Sequence, residues 1–243
     1  MLKITMDSRF HFKQFSVMHD MSTMKVGTDA MLLGAWANIP ETCASVLDIG
    51  TGCGVISLMI AQRTQAEIWG VDIHAPSIEQ AGQNAVASPW ADRLHFMQKD
   101  IRTMSKECER KFDLIVSNPP FFSHSLLSHS PSRNLSRHTV TLTSADMAEA
   151  VSCLLACKGL FAVILPSGYA SGLQSALQRN GLQLLRQCTI YPKQGKPSHR
   201  MLLEFKSMQE KTETKQEQLC IRDEHNQYTA DYMALTKAYH TIF

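Results

Sequence analysis

The sequence feature that most constrains the fold is the stretch over residues 46–54, where an apolar run meets a cluster of alternating glycines. The run reaches Asp48, and Gly50, Gly52 and Gly54 follow at every second position. Apolar residues then recur at helical spacing, so the stretch predicts a strand, a tight turn and a helix. Because glycine has no side chain and tolerates unusual backbone angles, a ligand can lie directly against such a turn.

The spacing of these glycines argues against a dinucleotide site. The dinucleotide fingerprint places its third glycine one position later, where this chain has Val55. A carboxylate at Asp48 would repel a pyrophosphate, whereas it would attract the cationic end of a methionine-like ligand. A nicotinamide-dependent dehydrogenase is therefore disfavoured. The stretch resembles motif I of the class I S-adenosylmethionine-dependent methyltransferases, and this resemblance implies S-adenosylmethionine as the cofactor and a Rossmann-like fold.

Strand-like apolar runs alternate with helical patterns along the chain, which predicts an α/β fold with a mostly parallel sheet covered on both faces. The alternation of Phe10 and Phe12, then Phe15 and Val17, predicts a short N-terminal hairpin or arm. Residues 206–218 are polar and predict a solvated loop. Seven strands are expected in the sheet, near residues 45–49, 68–72, 94–97, 112–116, 160–165, 183–190 and 200–205, with a short extra strand near 219–221 and a helix in a C-terminal extension.

Capping residues predict where several helices begin and end. Thr28 or Asp29 is the expected N-cap of the first helix. A later helix is expected to start near Thr143 or Ser144, with Asp146 placed for a capping interaction, and to end at Gly159. A closing helix over residues 229–243 is expected to bury a stripe formed by Tyr232, Leu235, Tyr239 and Ile242.

Composition limits the classes of function. Apolar residues make up 44% of the 243, which is enough for one large core, and the net charge of +2 means that nucleic-acid binding would require a local basic patch. No segment resembles a signal peptide and no apolar run is long enough to cross a membrane, so we expect a cytoplasmic protein without membrane contact. The seven cysteines form no CxxC pair, which predicts reduced core thiols and no metal site.

Acidic residues end two further predicted strands. Asp72 lies 18 residues after Gly54, close to the ~20-residue offset at which an acid accepts ribose hydroxyls. Asp100 can accept a hydrogen bond from an adenine amino group, with the Ile101 amide serving a ring nitrogen. The turn before the first helix is expected to close over the methionine end of the cofactor. The predicted cofactor-binding residues are Lys25, Thr28, Asp48, Gly50, Gly52, Gly54, Asp72, Ile73, Asp100, Ile101 and Asn118.

The most specific motif is Asn118-Pro119-Pro120-Phe121, which follows a buried strand. Two consecutive prolines force an extended backbone and remove two N–H donors. The Asn118 side-chain oxygen and the Pro119 carbonyl can then accept both N–H bonds of one planar amino group, which frees the nitrogen lone pair for attack on a methyl group. Phe121 is expected to stack on the flat target. These four residues are the predicted catalytic set.

Together with residues 25–36, 88–91 and 228–239, these motifs resemble the bacterial valine-tRNA adenine-N6 methyltransferases almost from end to end. The resemblance implies methylation of N6 of the adenine beside the anticodon of valine tRNA. We expect a monomer with a single methyltransferase domain over residues 1–243, composed of an N-terminal arm (1–27), a catalytic core (28–206) and a C-terminal extension (207–243).

Phe121 leaves the identity of the target base undecided, because the members of this family best known to us carry tyrosine at the corresponding position. Guanine-N2 methyltransferases acting on ribosomal RNA also have the Asn-Pro-Pro-Phe form. Methyltransferases of protein glutamine amides share an Asn-Pro-Pro-aromatic motif, but they resemble chains with a helical domain ahead of motif I, and here only about 45 residues precede it. A non-enzymatic RNA chaperone with the same fold is a further alternative.

A tRNA substrate requires cations near the strand ends. Basic residues follow the Asn-Pro-Pro-Phe motif and recur in a proline-containing loop before a late strand. We predict that these side chains contact RNA phosphates. They are Arg133, Arg137, His138, Lys193, Lys196 and Arg200.

Overall fold

A central sheet of eight strands organises the part of the chain that the computed structural model describes, namely residues 9–119, 142–208 and 213–243. The predicted N-terminal hairpin is confirmed and pairs β1 (Arg9–His11) with β2 (Ser16–Met18) in antiparallel register. The strands of the large sheet are β3 (Ser45–Ile49), β4 (Glu67–Asp72), β5 (Leu94–Gln98), β6 (Phe112–Ser117), β7 (Leu155–Pro166), β8 (Leu182–Tyr191), β9 (Arg200–Ser207) and β10 (Lys215–Cys220).

The spatial order of the large sheet is β10-β8-β9-β7-β6-β3-β4-β5, and only β9 runs antiparallel to its neighbours. The predicted mostly parallel sheet is confirmed, but the expected count of seven strands is wrong. The eighth strand is β10, which pairs in parallel with β8; it overlaps the short extra strand expected near 219–221 but begins four residues earlier. The loop predicted over residues 206–218 is wrong at both ends, because β9 continues to Ser207 and β10 begins at Lys215. The first four residues of this edge strand are polar, so the sequence shows no apolar alternation there.

Helices cover both faces of the sheet, as the alternation of strands and helices predicts. Successive strand residues contribute to opposite cores: Val46 packs with the helices over residues 28–36, 55–61, 75–86 and 230–236, whereas Leu47 packs with those over residues 101–107, 144–154 and 170–179. The helices are α1 (Thr28–Trp36), α2 (Val55–Ala61), α3 (Ala75–Val86), α4 (Ile101–Glu107), α5 (Ser144–Leu154), α6 (Ala170–Arg179) and α7 (Ala230–Thr236).

The predicted helix caps are partly correct. Thr143 caps α5, accepting a hydrogen bond from the backbone N–H of Asp146 (3.1 Å), and its own N–H donates to the Asp146 carboxylate (3.0 Å). The predicted cap at Thr28 or Asp29 is wrong, because Gly27 occupies that position in extended conformation without a side-chain hydrogen bond.

Gly159 does not end a helix. Helix α5 ends at Leu154 and the chain enters β7 directly, so Gly159 lies within a strand. A Cβ atom at Gly159 would come within 2.9 Å of the Phe112 carbonyl oxygen. The glycine therefore permits close approach of β7 to β6.

The closing helix is shorter than predicted. Helix α7 ends at Thr236, so the expected stripe is only partly buried: Tyr232 and Tyr239 are in the core, whereas Ile242 is exposed. The Tyr239 hydroxyl donates to the carbonyl oxygen of Met59 in α2 (3.1 Å). A β-bridge between Phe12 and His240 joins the N-terminal arm to this C-terminal segment.

Candidate active site

The predicted glycine turn lies at the carboxyl edge of the sheet, between β3 and α2. Gly50, Gly52 and Gly54 have φ values of 71°, 56° and 80°, in the left-handed region that favours glycine. The Gly50 N–H donates to the carbonyl oxygen of Val71 (2.8 Å), which ties the turn to the end of β4. A Cβ atom added at Gly50 would meet no other atom within 4 Å. The turn therefore presents open backbone on which a ligand can lie.

Asp48 lies beneath this turn with no solvent exposure. Its Oδ2 accepts hydrogen bonds from the hydroxyls of Ser57 (2.7 Å) and Thr51 (2.8 Å), whereas Oδ1 has no partner in the described part of the chain. Desolvation by burial raises the pKa of Asp48 to about 6, against the lowering effect of these hydrogen bonds. The carboxylate thus supports the turn and adds negative potential close to the exposed backbone.

Asp72 connects the end of β4 to the glycine turn. Its Oδ2 accepts a hydrogen bond from the Gly52 N–H (3.0 Å), and its Oδ1 accepts one from the His74 N–H (2.9 Å). Each carboxylate oxygen can accept a further hydrogen bond, so this anchoring role is compatible with a ribose contact. Ile73, directly after Asp72, is 47% exposed and offers apolar surface at the same strand end.

Asp100 acts as the N-cap of α4 at the end of β5. Its Oδ1 accepts from the Arg102 N–H (2.9 Å), and its carboxylate forms an ion pair with the Arg102 guanidinium (2.5 Å). The hydrogen bonds from Arg102 lower the pKa of Asp100, so the group stays ionised and acceptor-only. The side chain of the next predicted residue, Ile101, is buried in the core. Contact of these two residues with an adenine stays a prediction.

The N-terminal arm folds back onto the glycine turn through buried amides of α3. The Asn84 side chain accepts from the Met18 N–H (2.9 Å) and donates to the carbonyl oxygens of Met18 (2.8 Å) and Cys53 (2.9 Å). The Gln80 side chain accepts from the Met21 N–H (3.1 Å). Neither amide is among the site residues predicted from the sequence. Their signal is the i, i+4 spacing of two polar residues beside the apolar face of a helix.

Ser22, in the same arm, lies next to the glycine turn: a Cβ atom at Gly52 would be 3.1 Å from its hydroxyl oxygen. Lys25, near the end of the arm, and Thr28, the first residue of α1, are both exposed. Their predicted contact with the methionine end of a cofactor stays a prediction.

Asn118 follows β6, the strand beside β3, and is half-buried, whereas Pro119 is buried. Ser117 pairs with Ile49, and its hydroxyl donates to the Ile49 carbonyl oxygen (2.9 Å). Asn118 and the glycine turn therefore start from adjacent parallel strand ends. The other predicted residues of this region lie outside the described residues; they are Pro120, Phe121, Arg133, Arg137 and His138.

Of the predicted RNA-binding residues that are described, two lie in one turn. The Lys196 N–H donates to the carbonyl oxygen of Lys193 (3.0 Å), and Lys196 is exposed. Arg200, at the start of β9, forms an ion pair with Asp29 in α1 (2.8 Å). The sequence predicts that Arg200 contacts an RNA phosphate. In the structure a carboxylate already balances its charge.

Features of metal binding and of membrane crossing are both absent from the described ranges of the chain. Among the described residues, no cluster of three or more His, Cys, Asp or Glu side chains is arranged to bind a metal ion. No helix in these ranges combines the length and apolar character that crossing a membrane requires.

Relatives of known name match the chain almost completely. Residues 18–142 match the family model of the methyltransferase small domain. A protein from Actinobacillus succinogenes named tRNA1(Val) (adenine(37)-N6)-methyltransferase is 42% identical over 236 residues, covering 96% of this chain and 98% of the relative. A protein of the same name from Phocaeicola vulgatus is 44% identical over 231 residues, covering 95% and 97%.

Solved structures share the fold at lower sequence identity. A protein from Agrobacterium tumefaciens described as a predicted O-methyltransferase has a TM-score of 0.64 and 17% identity, covering 87% of this chain and 96% of its own. The CcbJ methyltransferase from Streptomyces caelestis has a TM-score of 0.57 and 11% identity, covering 79% and 96%. At these identities the likeness shows the fold alone, and it confirms the predicted Rossmann-like methyltransferase architecture.

Proposed function

Because the chain belongs to the family of tRNA1(Val) (adenine(37)-N6)-methyltransferases, we propose that it transfers a methyl group from S-adenosylmethionine to N6 of adenine 37 in valine tRNA. The observation that carries this proposal is the 42% identity to a relative of that name over 96% of the chain. The geometry supports it, since a glycine turn and an Asn-Pro corner follow adjacent strands.

We propose that the cofactor lies against the glycine turn. Two observations support the fit: the backbone is open at Gly50, and the buried Asp48 carboxylate has one oxygen without a partner in the described chain. When bound, S-adenosylmethionine would supply an electrophilic methyl group on a positively charged sulfur. The proposed binding residues are Lys25, Thr28, Asp48, Gly50, Gly52, Gly54, Asp72, Ile73, Asp100, Ile101 and Asn118.

Asn118 and Pro119 hold the target amino group in this proposal. The Asn118 side-chain oxygen and the Pro119 carbonyl oxygen accept its two N–H bonds, so the nitrogen lone pair is no longer delocalised into the ring. Catalysis then depends on positioning and on hydrogen bonds rather than on a strong general base. Phe121 stacks on the base and Pro120 stiffens the corner, as their place in the motif suggests.

Cations near the same edge of the sheet bind tRNA phosphates in this proposal. Lys193 and Lys196 lie in one turn before β9, which supports a common contact. Arg200 contributes mainly by linking β9 to α1, because Asp29 already pairs with it. Arg133, Arg137 and His138 complete the proposed set by their place after the catalytic motif.

We also propose that the chain acts as a monomer with one domain, in the cytoplasm where its tRNA substrate is found. Two contacts support the single domain: β10, from the C-terminal extension, pairs with β8 of the core sheet, and His240 forms a bridge with Phe12 of the arm. Sedimentation at assay concentrations tests the monomer.

A second candidate is guanine-N2 methylation in ribosomal RNA, which the Phe121 form of the motif favours. Both candidates are tested by labelled methyl transfer from S-adenosylmethionine onto total tRNA and rRNA from a strain lacking the gene, followed by nucleoside analysis. We expect N6-methyladenosine in one tRNA. N2-methylguanosine in rRNA would overturn the proposal in favour of the second candidate.

A further inference from the structure

A cavity of about 220 Å³ opens at the carboxyl edge of the sheet, between the start of α1 and the ends of β8 and β10. Its floor is apolar: Pro192 and Ile221 are partly exposed in it, and the fully buried Leu32 and Ile190 support it from the core. Its rim carries His199, Arg200 and Arg222. The volume lies below the ~300–1,000 Å³ of drug-sized ligand sites, which suits a single small ring system.

The two guanidinium groups on the rim are held in place before any ligand arrives. Arg200 donates through Nε to Asp29 (2.8 Å) and through Nη1 to the His199 carbonyl oxygen (3.2 Å). Arg222 lies 4.0 Å above the ring of Tyr228 and donates to the carbonyl oxygen of Asn226 (2.7 Å). Because both side chains are already ordered, binding of a ligand costs little of their conformational entropy.

The charge around the cavity favours an anionic ligand. Asp29 lines the cavity and balances the Arg200 guanidinium, so the Arg222 guanidinium leaves the rim with a net positive charge. The turn bearing Lys193 is joined to the rim, because the Gln194 N–H donates to the Arg222 carbonyl oxygen (2.9 Å). An apolar floor with a cationic rim complements a nucleotide, whose base is flat and whose phosphate is negative.

The position of the cavity relates it to the proposed target site. Strand β8 lies three positions from β6 in the sheet, through β9 and β7. At ~4.8 Å per strand this separates the cavity from Asn118 by roughly 14 Å along the same edge. A short length of single-stranded RNA spans such a distance, so one strand can reach both places.

We propose that this cavity binds one nucleotide flanking the target adenine in the same RNA strand. The base packs on the apolar floor, and its phosphate is bound by Arg222 and His199. This inference rests on the proposed tRNA substrate. It gives the protein an RNA-binding site that is separate from the site of methyl transfer at Asn118.

The test combines two variants with altered RNA. His199→Ala and Arg222→Gln are compared with the wild type on the anticodon stem-loop of valine tRNA, either intact or with one abasic nucleotide on either side of the target. For the wild type, we expect the abasic nucleotide at one of the two positions to lower kcat/KM about tenfold, because KM rises while kcat stays the same. The same abasic change should lower kcat/KM of either variant less than about twofold, because the nucleotide is no longer held in the cavity of the variant.

His225→Ala is the matched control, since His225 lies three residues beyond Arg222 with a side chain 78% exposed and outside the cavity. It should respond to abasic RNA as the wild type does. If an abasic nucleotide at either position lowers kcat/KM by the same factor in the variants as in the wild type, the nucleotide site is overturned. The proposed methyltransferase function would not be affected by that result. Absence of methylation of intact RNA by the wild type would overturn the proposed function and this inference with it.

Discussion

Burial raises the pKa of Asp48 to about 6, from the value of 3.8 for an ordinary aspartate. Between about pH 4 and 6 the folded protein therefore binds a proton that the unfolded chain has lost. The contribution of Asp48 to the free energy of unfolding falls as the pH rises through this window and stays low above it. At neutral pH the ionised carboxylate destabilises the protein, and a cationic ligand beside the turn would offset that cost.

We expect Asp48→Asn to raise the free energy of unfolding at pH 8 by roughly 1–3 kcal/mol, because the buried charge is removed. The advantage should shrink as the pH falls toward 5, and the affinity for S-adenosylmethionine should decrease. Urea denaturation at several pH values and calorimetry measure these effects. A stability difference between the variant and the wild type that does not change with pH would contradict the raised pKa of Asp48.

The glycines and the acids at the strand ends were predictable because their signals are local. The burial of Asp48 and the pairing of Arg200 with Asp29 were not. This ion pair joins residues 171 positions apart, and no short sequence pattern in either segment indicates it. Sequence thus identified candidate residues, whereas their partners required the fold.

At the scale of elements, the hydrogen bonds of Asn84 connect the N-terminal arm to α3 and to the glycine turn. We expect Asn84→Ala to lower the free energy of unfolding by about 2–4 kcal/mol, because it leaves the half-buried backbone groups of Met18 and the buried carbonyl of Cys53 without this partner. It should also weaken binding of S-adenosylmethionine. Urea denaturation, calorimetry and hydrogen exchange at the Met18 amide measure the three effects.

Gln83→Ala is the matched control for Asn84, because Gln83 is exposed in the same helix and its side chain donates to the exposed Glu79 (3.3 Å) rather than to the backbone of the arm. Its effect on stability should stay within about 0.5 kcal/mol. Equal effects of the two substitutions would show that Asn84 has no particular role in holding the arm.

Element boundaries were predictable where side chains carry the capping interaction, as at Thr143 and Asp146. They were missed where backbone geometry or packing decides. Gly159 has the residue type of a helix cap, yet it serves the close approach of β7 to β6. Strand β10 has almost no apolar alternation, because one side of it is the edge of the sheet.

At the scale of the whole molecule, the net charge of +2 is too small to attract RNA by itself, so local cations must act. We expect Lys193→Gln combined with Lys196→Gln to weaken tRNA binding without changing cofactor affinity. The slope of log affinity against log salt should become shallower by about 0.7–0.9 for each phosphate that the variant no longer neutralises. Binding titrations at several salt concentrations measure it.

Lys106→Gln combined with Lys158→Gln removes the same charge from exposed positions near the end of α4 and the start of β7. This control should leave the salt slope unchanged. Equal slopes for the two double variants would rule out a specific role for the turn that bears Lys193 and Lys196.

The most direct test of the proposed mechanism is the single-turnover rate of methyl transfer by Asn118→Ala on valine tRNA, measured beside its affinity for S-adenosylmethionine. Loss of one hydrogen-bonding group that acts at the reacting nitrogen should lower the rate about 10²–10³-fold. Cofactor affinity should fall far less than the rate, because Asn118 is one of eleven proposed cofactor contacts and the glycine turn and its supporting acids are intact. A variant that transfers methyl groups at a near-normal rate would contradict the central role of Asn118.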